Sequence, residues 1–80
     1  MISAIVLINV EKGGVLEVAR QLGEIPEVVE IYSVAGPYDM VAKVQVEEYE
    51  RMSEVITEKL QAVKGITSTG TLMTFRMYKF

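Results

Sequence analysis

The spacing of apolar residues changes period along the chain, and the order of these changes restricts the possible folds. Ile2–Val10 is a short run rich in β-branched residues, which favours a strand over a helix. Over Gly14–Leu22 the apolar residues recur at helical spacing, with charged residues on another side. Gly23 and Pro26 predict the end of this helix, because proline cannot continue it.

The rest of the chain adds two strands, a helix and a final strand. Val28–Val34 and Met40–Val46 are predicted strands joined by a turn at Gly36-Pro37. Glu48–Val63 is a predicted helix, with acidic residues near its N-terminal end and lysines near its C-terminal end, as the helix dipole favours. Its apolar stripe comprises Tyr49, Met52, Val55, Ile56, Leu60 and Val63. Thr67–Tyr78 is the last predicted strand, one side of which carries Thr67, Thr69, Thr71, Met73, Phe75 and Met77.

The order βαββαβ is that of the α+β, ferredoxin-like fold. Right-handed crossovers then predict an antiparallel sheet with strand order 4-1-3-2 and both helices on one face. With 80 residues, the chain has room for one domain, so we expect residues 1–80 to form a single unit.

The sheet face that the helices leave uncovered is predicted to be apolar. A two-layer domain normally places polar residues there, but this chain places Ile5, Leu7, Tyr32, Val34, Val41, Leu72 and Tyr78. An apolar patch of this kind indicates an interaction surface, and a chain this short buries only about 60–65% of its unfolded surface by itself. We therefore expect two copies to pack sheet face on sheet face as a barrel-like α/β dimer.

Composition excludes several classes of function. The chain has no Cys and no His, which removes thiolate zinc sites, cysteine nucleophiles and the commonest general base. Its net charge of −3 argues against direct binding of nucleic acid. Paired carboxylates at useful spacing, a phosphate loop and a nucleophile with its base are all missing, so we expect no enzyme, cofactor or metal. The apolar N-terminus lacks the basic start of a signal peptide and is too short to span a membrane, so a cytoplasmic protein without membrane contact is expected.

The predicted topology gathers three polar or glycine-rich segments, residues 9–14, 36–39 and 65–71, at one end of the sheet. In the turn, Gly36, Tyr38 and Asp39 offer free N–H groups for a carboxylate and a carboxylate for an ammonium group. Thr69 and Thr71 offer hydroxyls that donate and accept, which suits a small zwitterion. Two plainer alternatives stay open: Asp39 bonds its own turn, and threonine is simply favoured in strands.

These segments also resemble a known family. Ile25–Glu30 leading into Val34–Asp39, then Lys64-Gly65-Ile66 and Thr69-Gly70-Thr71, are similar to the effector-binding (RAM) domain of the Lrp/AsnC family over nearly the whole chain. Full-length members carry an N-terminal helix-turn-helix that binds DNA, whereas Met1 here already begins the first RAM strand, so a stand-alone form is expected. Gly70 departs from the family, which more often has a larger polar residue there.

The resemblance implies sheet-face dimers, higher oligomers of dimers, and amino acids or related effectors bound between dimers. Gly36, Tyr38 and Asp39 match the turn motif of the family, and Thr69 and Thr71 match its strand. The resulting hypothesis is a non-catalytic regulatory module that binds an amino-acid effector and modulates amino-acid metabolism or transcription.

Three alternatives stay open. One is a ligand-free partner that co-assembles with a full-length Lrp/AsnC regulator. Another is an ACT-type amino-acid sensor, whose glycine turn would correspond to Gly13-Gly14. The last is a small dimeric enzyme, against which the missing His speaks.

Overall fold

The structure, a computed structural model, describes residues 1–80 and has the predicted order of elements. The strands are β1 (Ile2–Val10), β2 (Val28–Ser33), β3 (Met40–Val46) and β4 (Ile66–Met73). The helices are α1 (Val15–Gly23) and α2 (Tyr49–Glu54), and a π-helical segment continues α2 over Val55–Lys59. All strand pairs are antiparallel and the sheet order is β2-β3-β1-β4. The predicted ferredoxin-like fold with strand order 4-1-3-2 is confirmed.

Alternation along the two central strands decides which sheet face is buried. Successive side chains of a strand point to opposite faces, and the residues of β1 and β3 on the helix side pair with one another across the sheet. The two helices and the π-helical segment complete this core. Its buried members are Ala4, Val6, Ile8, Val18, Leu22, Met40, Ala42, Val44, Val46, Met52, Val55 and Leu60. None of them is polar, so the core depends on hydrophobic burial alone.

The loop after the π-helical segment is tied to the start of α1 through a glycine. Gly65 has φ of +100°, a conformation that side chains rarely adopt. A Cβ atom at Gly65 would also lie 3.1 Å from the Cγ2 atom of buried Val18. The Gly65 carbonyl accepts a hydrogen bond from the Glu11 N–H at 2.8 Å, which joins the two loops at this end of the sheet.

The second helix differs from the prediction of one α-helix over Glu48–Val63. Its second half is π-helical, and Leu60 N–H donates to the Val55 carbonyl at 2.9 Å. Residues five apart differ by about 140° around an α-helix, yet Val55 and Leu60 are both buried. The wider π turn brings both onto the core side. At the other end, Tyr49 is 65% exposed, so its predicted place in the buried stripe was wrong.

The last strand ends earlier than the predicted Tyr78. The final pair in its ladder joins Met73 to Ala4, and Thr74 then donates to the Ser3 carbonyl through both its N–H and its hydroxyl. Since β1 begins at Ile2, it has no further residues to pair with the chain beyond this point. Residues 74–80, here called the tail, follow without regular secondary structure. Phe75, Met77 and Tyr78 were therefore wrongly assigned to this strand.

A bulge also changes the alternation at the start of β4. The register with β1 shifts between Asn9 and Val10, and Thr67 lies opposite this shift without a paired residue. Beyond the bulge, Thr69 and Thr71 pair with inward-facing Ile8 and Val6, so they lie on the helix side of the sheet. Contrary to the prediction, Thr67 does not continue the row of Thr69 and Thr71.

Candidate functional site

Three segments meet at the end of β1, as the topology predicts. The Val10 N–H donates to the Oδ2 atom of Asp39 at 2.9 Å, and the Asp39 N–H donates to the Ile8 carbonyl at 3.0 Å. Asn9 Nδ2 donates to the Ser68 hydroxyl at 3.3 Å on the opposite flank of β1. Together with the bond between Glu11 and Gly65, these contacts join the loop after β1 to the segments around residues 36–39 and 65–71.

The turn before β3 combines free donors with one fixed carboxylate. Gly36 has φ of +130°, which glycine tolerates and other residues rarely adopt. The N–H groups of Gly36 and Tyr38 make no hydrogen bond within the chain. Tyr38 and Asp39 are both half-buried. The turn therefore presents backbone donors beside a carboxylate, the pair of groups that a zwitterion requires.

Asp39 has a structural role that the chain uses by itself. One of its oxygens accepts from Val10 and so holds β3 against the end of β1, while the other oxygen makes no hydrogen bond within the chain. One alternative from the sequence was that Asp39 hydrogen-bonds the backbone of its own turn. The structure shows a similar structural role, but the backbone donor is Val10 at the end of the neighbouring strand β1. The free oxygen leaves Asp39 with one acceptor position for a ligand.

The two threonines lie across β1 from the turn. β1 separates β3 from β4, and neighbouring strands are about 4.8 Å apart, so roughly 10 Å separates the turn side from the threonine side. Thr69 is half-buried and Thr71 is exposed. The turn and Thr69 thus lie toward one end of the sheet without contacting each other within one chain, and Thr71 lies opposite Val6 at the middle of β1.

Thr71 lines a small cleft between α2 and β4, which we name the hydroxyl cleft. It holds about 180 Å³ and is lined by Tyr49, Met52, Ser53, Ile56, Thr57, Thr71 and Met73. Thr57 donates its hydroxyl to the Ser53 carbonyl at 2.7 Å. Ligand pockets usually measure about 300–1,000 Å³, so this cleft is too small to enclose an effector by itself. Thr71 was named from the sequence but the cleft was not, because α2 and the π-helical segment together supply five of its seven lining residues.

The sheet face opposite the helices, the open face, carries no helix, and the tail borders it only where Arg76 and Met77 share a cleft with Ile5 and Lys43. Its central row runs from Tyr32 on β2 through Val41 and Leu7 to Gly70 on β4. The next row places Ile5 between Lys43 and Leu72. Tyr32 is 52% exposed and Leu72 is 55% exposed. These pairings confirm Ile5, Leu7, Tyr32, Val41 and Leu72 on the open face, as predicted. Val34 follows the end of β2 and Tyr78 lies in the tail, so the strand register places neither of them there.

An ion cluster at the opposite end of the sheet was not predicted. Glu27 accepts from Arg51 Nε at 2.8 Å and from Lys59 Nζ at 3.1 Å, and its side chain is only 14% exposed. Burial opposes the charge of Glu27, but the hydrogen bonds from Arg51 and Lys59 outweigh it and lower its pKa from 4.5 to about 2. Arg51 also pairs with Glu54 at 2.9 Å. The cluster joins the loop before β2 to α2.

Two further clefts flank this end of the sheet. The acidic cleft holds about 400 Å³ and is lined by Met1, Glu27, Val29, Gln45, Val46, Glu47, Glu48 and Arg51. The basic cleft holds about 240 Å³ and is lined by Ser3, Ile5, Lys43, Gln45, Thr74, Arg76 and Met77. No group of three or more carboxylates is placed to hold a metal ion. No helix has the length and apolar character needed to cross a lipid bilayer.

Comparisons with known proteins agree with this geometry. Residues 3–80 match the family model described as the Lrp/AsnC ligand binding domain. The HTH-type transcriptional regulator FL11 of Pyrococcus furiosus is 33% identical over 78 residues, which are 98% of this chain and 51% of FL11. The chain thus spans about half the length of this relative.

Solved structures extend the match to the fold. The Thermus thermophilus protein TTHA0845 superposes with a TM-score of 0.91 at 39% identity, over the whole of both chains. The Neisseria meningitidis transcriptional regulator NMB0573, solved as its L-Met complex, superposes with a TM-score of 0.88 over 99% of this chain and 53% of that one. Its identity is 15%, so this likeness concerns the fold alone.

Proposed function

The chain belongs to the Lrp/AsnC family, and on that premise we propose that it is a non-catalytic regulatory module that binds an amino acid or a similar small effector. In this proposal, two copies pair through their open faces. The effector binds where such subunits meet and modulates amino-acid metabolism or transcription. The observation that carries the proposal is the match of residues 3–80 to a ligand-binding domain.

The open face supports the pairing of copies. Leu7 and Val41 lie at its centre, in one row with exposed Tyr32. Contiguous apolar surface of this kind marks an interaction site. A second copy packed on it would add a second apolar core to a domain that has twelve buried residues of its own.

The turn and the hydroxyl cleft support effector binding between subunits. The free N–H groups of Gly36 and Tyr38 suit a carboxylate, and the free oxygen of Asp39 suits an ammonium group. Thr69 and Thr71 supply hydroxyls on the other side of β1. Because these two sets do not meet within one chain, an adjoining subunit completes the site.

A thermal-shift screen of the twenty amino acids tests this proposal. We expect at least one amino acid to raise the melting temperature, because a ligand at a hundred times its Kd stabilises the folded state by about 2.7 kcal/mol. L-methionine is an early probe, since it is present in the structure of the Neisseria regulator. No shift with any of the twenty would contradict the proposal.

Two variants separate ligand binding from stability. Asp39→Asn keeps an oxygen for the Val10 N–H and removes the charge, so it is expected to fold and to lose the amino-acid shift. Thr71→Val is expected to weaken the shift, whereas Thr67→Val at the neighbouring bulge is its matched control. An unchanged shift in both Asp39→Asn and Thr71→Val would remove these residues from the site.

A second candidate is co-assembly with a full-length regulator through the same open face. It is favoured by the 33% identity to an HTH-type regulator of about twice this length. Capture of a helix-turn-helix protein on the immobilised chain supports it, if Leu7→Asp abolishes the capture. Complexes that contain only copies of this chain would contradict it.

A further inference from the structure

We propose that the tail, residues 74–80, is an arm that docks in the acidic cleft of a second copy of the chain. The inference rests on the proposed function for the presence of that second copy. It adds a contact outside the open face, made by a segment whose residues 75–80 form no hydrogen bond or ion pair within their own chain.

The tail carries enough apolar surface for a substantial contact. Phe75 is 98% exposed, Tyr78 is 71% exposed and Phe80 is fully exposed. One aromatic side chain buries about 150–250 Å² when it is covered, so three of them offer roughly 450–750 Å². A standard interface buries about 800 Å² per partner. Each tail thus has nearly the apolar area that a stable contact requires.

Charges around the tail argue against docking on its own chain. The tail carries Arg76 and Lys79. Within the chain, Arg76 shares the basic cleft with Lys43, and no carboxylate lines that cleft. Like charges in one cleft repel each other, so the first part of the tail has no favourable charged partner where it leaves the sheet.

The acidic cleft has the complementary charge and apolar lining. Three carboxylates and one guanidinium line it, and Arg51 already pairs with Glu27 and Glu54. Glu47 and Glu48 form no ion pair within the chain. Exposed Val29 adds apolar surface beside them. A segment that alternates aromatic and cationic residues fits such a cleft.

The fold also places the tail and the cleft correctly for exchange between two copies. Thr74 and Gln45 both bond Ser3 at the start of β1, so the tail and the acidic cleft lie at the same end of the sheet. The tail follows the β4 edge, and Val29 belongs to the β2 edge. Suppose that two open faces pack together around a twofold axis parallel to the strands. The β4 edge of one copy then lies beside the β2 edge of the other, and the same ends of the two sheets stay together. Each tail then lies beside the cleft of the other copy.

Cross-linking between single-cysteine variants tests the proposal, because the chain contains no cysteine of its own. Met77→Cys and a mass-tagged Val29→Cys are mixed and treated with a short bismaleimide. We expect a mixed product at about tenfold higher yield than with tagged Leu16→Cys, since cross-links of this kind require the two residues to lie close together. Leu16 is a matched control, because it is 67% exposed on α1 and does not line the acidic cleft. Equal yields with Val29→Cys and Leu16→Cys would overturn the proposal.

Three further measurements keep the outcomes separate. A double variant that carries both Met77→Cys and Val29→Cys is expected to form cross-links between two chains. A cross-link within one chain at low protein concentration would contradict the proposed docking of the tail on a second copy. Arg76→Glu with Lys79→Glu is expected to lower the mixed yield about tenfold, and Glu47→Lys with Glu48→Lys in the partner to restore it. If light scattering shows two-chain particles without the specific cross-link, the arm is wrong and the proposed self-association stands. One-chain particles would overturn both.

Discussion

The two faces of the sheet both carry apolar residues, but only one of them is covered by helices. On the helix side, Val6 and Ile8 are completely buried. One position along the same strand, Ile5 and Leu7 lie on the open face, where no helix covers them and they are only half-buried. Because side chains alternate along a strand, β1 supplies five apolar residues to the helix side and two, Ile5 and Leu7, to the centre of the open face.

This difference teaches that β1 has the sequence of a strand buried on both sides, whereas one chain covers only one of them. Strands with near-continuous apolar residues are typical of sheets covered on both faces. The helices supply one cover, and the open face requires another.

The largest effect is expected on the helix side. Ile8→Ala removes buried methyl groups and leaves a cavity, so it is expected to lower the free energy of unfolding by about 2–5 kcal/mol. Urea unfolding at fixed protein concentration measures this loss. The matched control is Leu16→Ala, which is exposed and should change stability by less than about 0.5 kcal/mol. Similar losses in both variants would contradict the described core.

The next effect concerns assembly rather than the single-chain fold. Leu7→Asp places a charge at the centre of the open face, where packing of a second copy would bury it unpaired. We expect the dimer dissociation constant to rise by about a hundredfold or more, with the circular dichroism spectrum preserved. Sedimentation velocity measures the change, and Leu16→Asp is the control. A Leu7→Asp chain that assembles as before would show that the open face is not the interface.

A smaller effect is expected at the ion cluster, which is independent of either face. The pKa of Glu27 is lowered, so its contribution is complete above the ordinary value of 4.5 and is lost as the pH falls toward 2. After allowance for solvent screening, Glu27→Gln should lower stability at neutral pH by about 1–2 kcal/mol. The difference from the unmodified chain should shrink below pH 4.5. Urea unfolding across this pH range measures it.

Glu54→Gln serves as the control for this prediction. Glu54 pairs with the same Arg51, but its side chain is 46% exposed, so the substitution should cost less than about 0.5 kcal/mol. A loss for Glu27→Gln that stays constant from neutral pH down to about 2 would contradict the assigned role of its carboxylate.

The smallest effect sharpens the comparison at one position of the open face. A Cβ atom at Gly70 would meet no atom within 4 Å in the single chain, and Gly70 pairs with Leu7. Gly70→Val is therefore expected to leave the single-chain fold intact, with a gain of up to about 1 kcal/mol from strand propensity. It should weaken the pairing of copies several-fold by overpacking, whereas Thr67→Val should not. Stronger assembly of Gly70→Val would contradict the proposed packing.

Local pattern was sufficient to predict most of the fold. The alternation in β1 and β3, the helical spacing of α1, and the glycine and proline residues between elements are encoded in neighbouring residues, so the elements and their order followed. The π-helical segment was not predictable in this way. It depends on burying both Val55 and Leu60 against one sheet, which is a tertiary requirement.

Features that depend on distant partners were missed for the same reason. The end of β4 is set by where β1 begins, because a strand without a neighbour has nothing to pair with. Glu27 looks like an ordinary surface residue until Arg51 and Lys59 reach it from the second helix. The turn at Gly36 and the threonines of β4 were proposed as site residues from residue type and resemblance, and the proposed joint use of the two requires a second copy.

Light scattering on the unmodified chain, at micromolar concentration and neutral pH, measures whether a second copy covers the open face. The account predicts particles of at least twice the 8.9 kDa mass of one chain. Particles with the mass of one chain would contradict it, because the apolar face around Leu7 would then be stable in water without a partner.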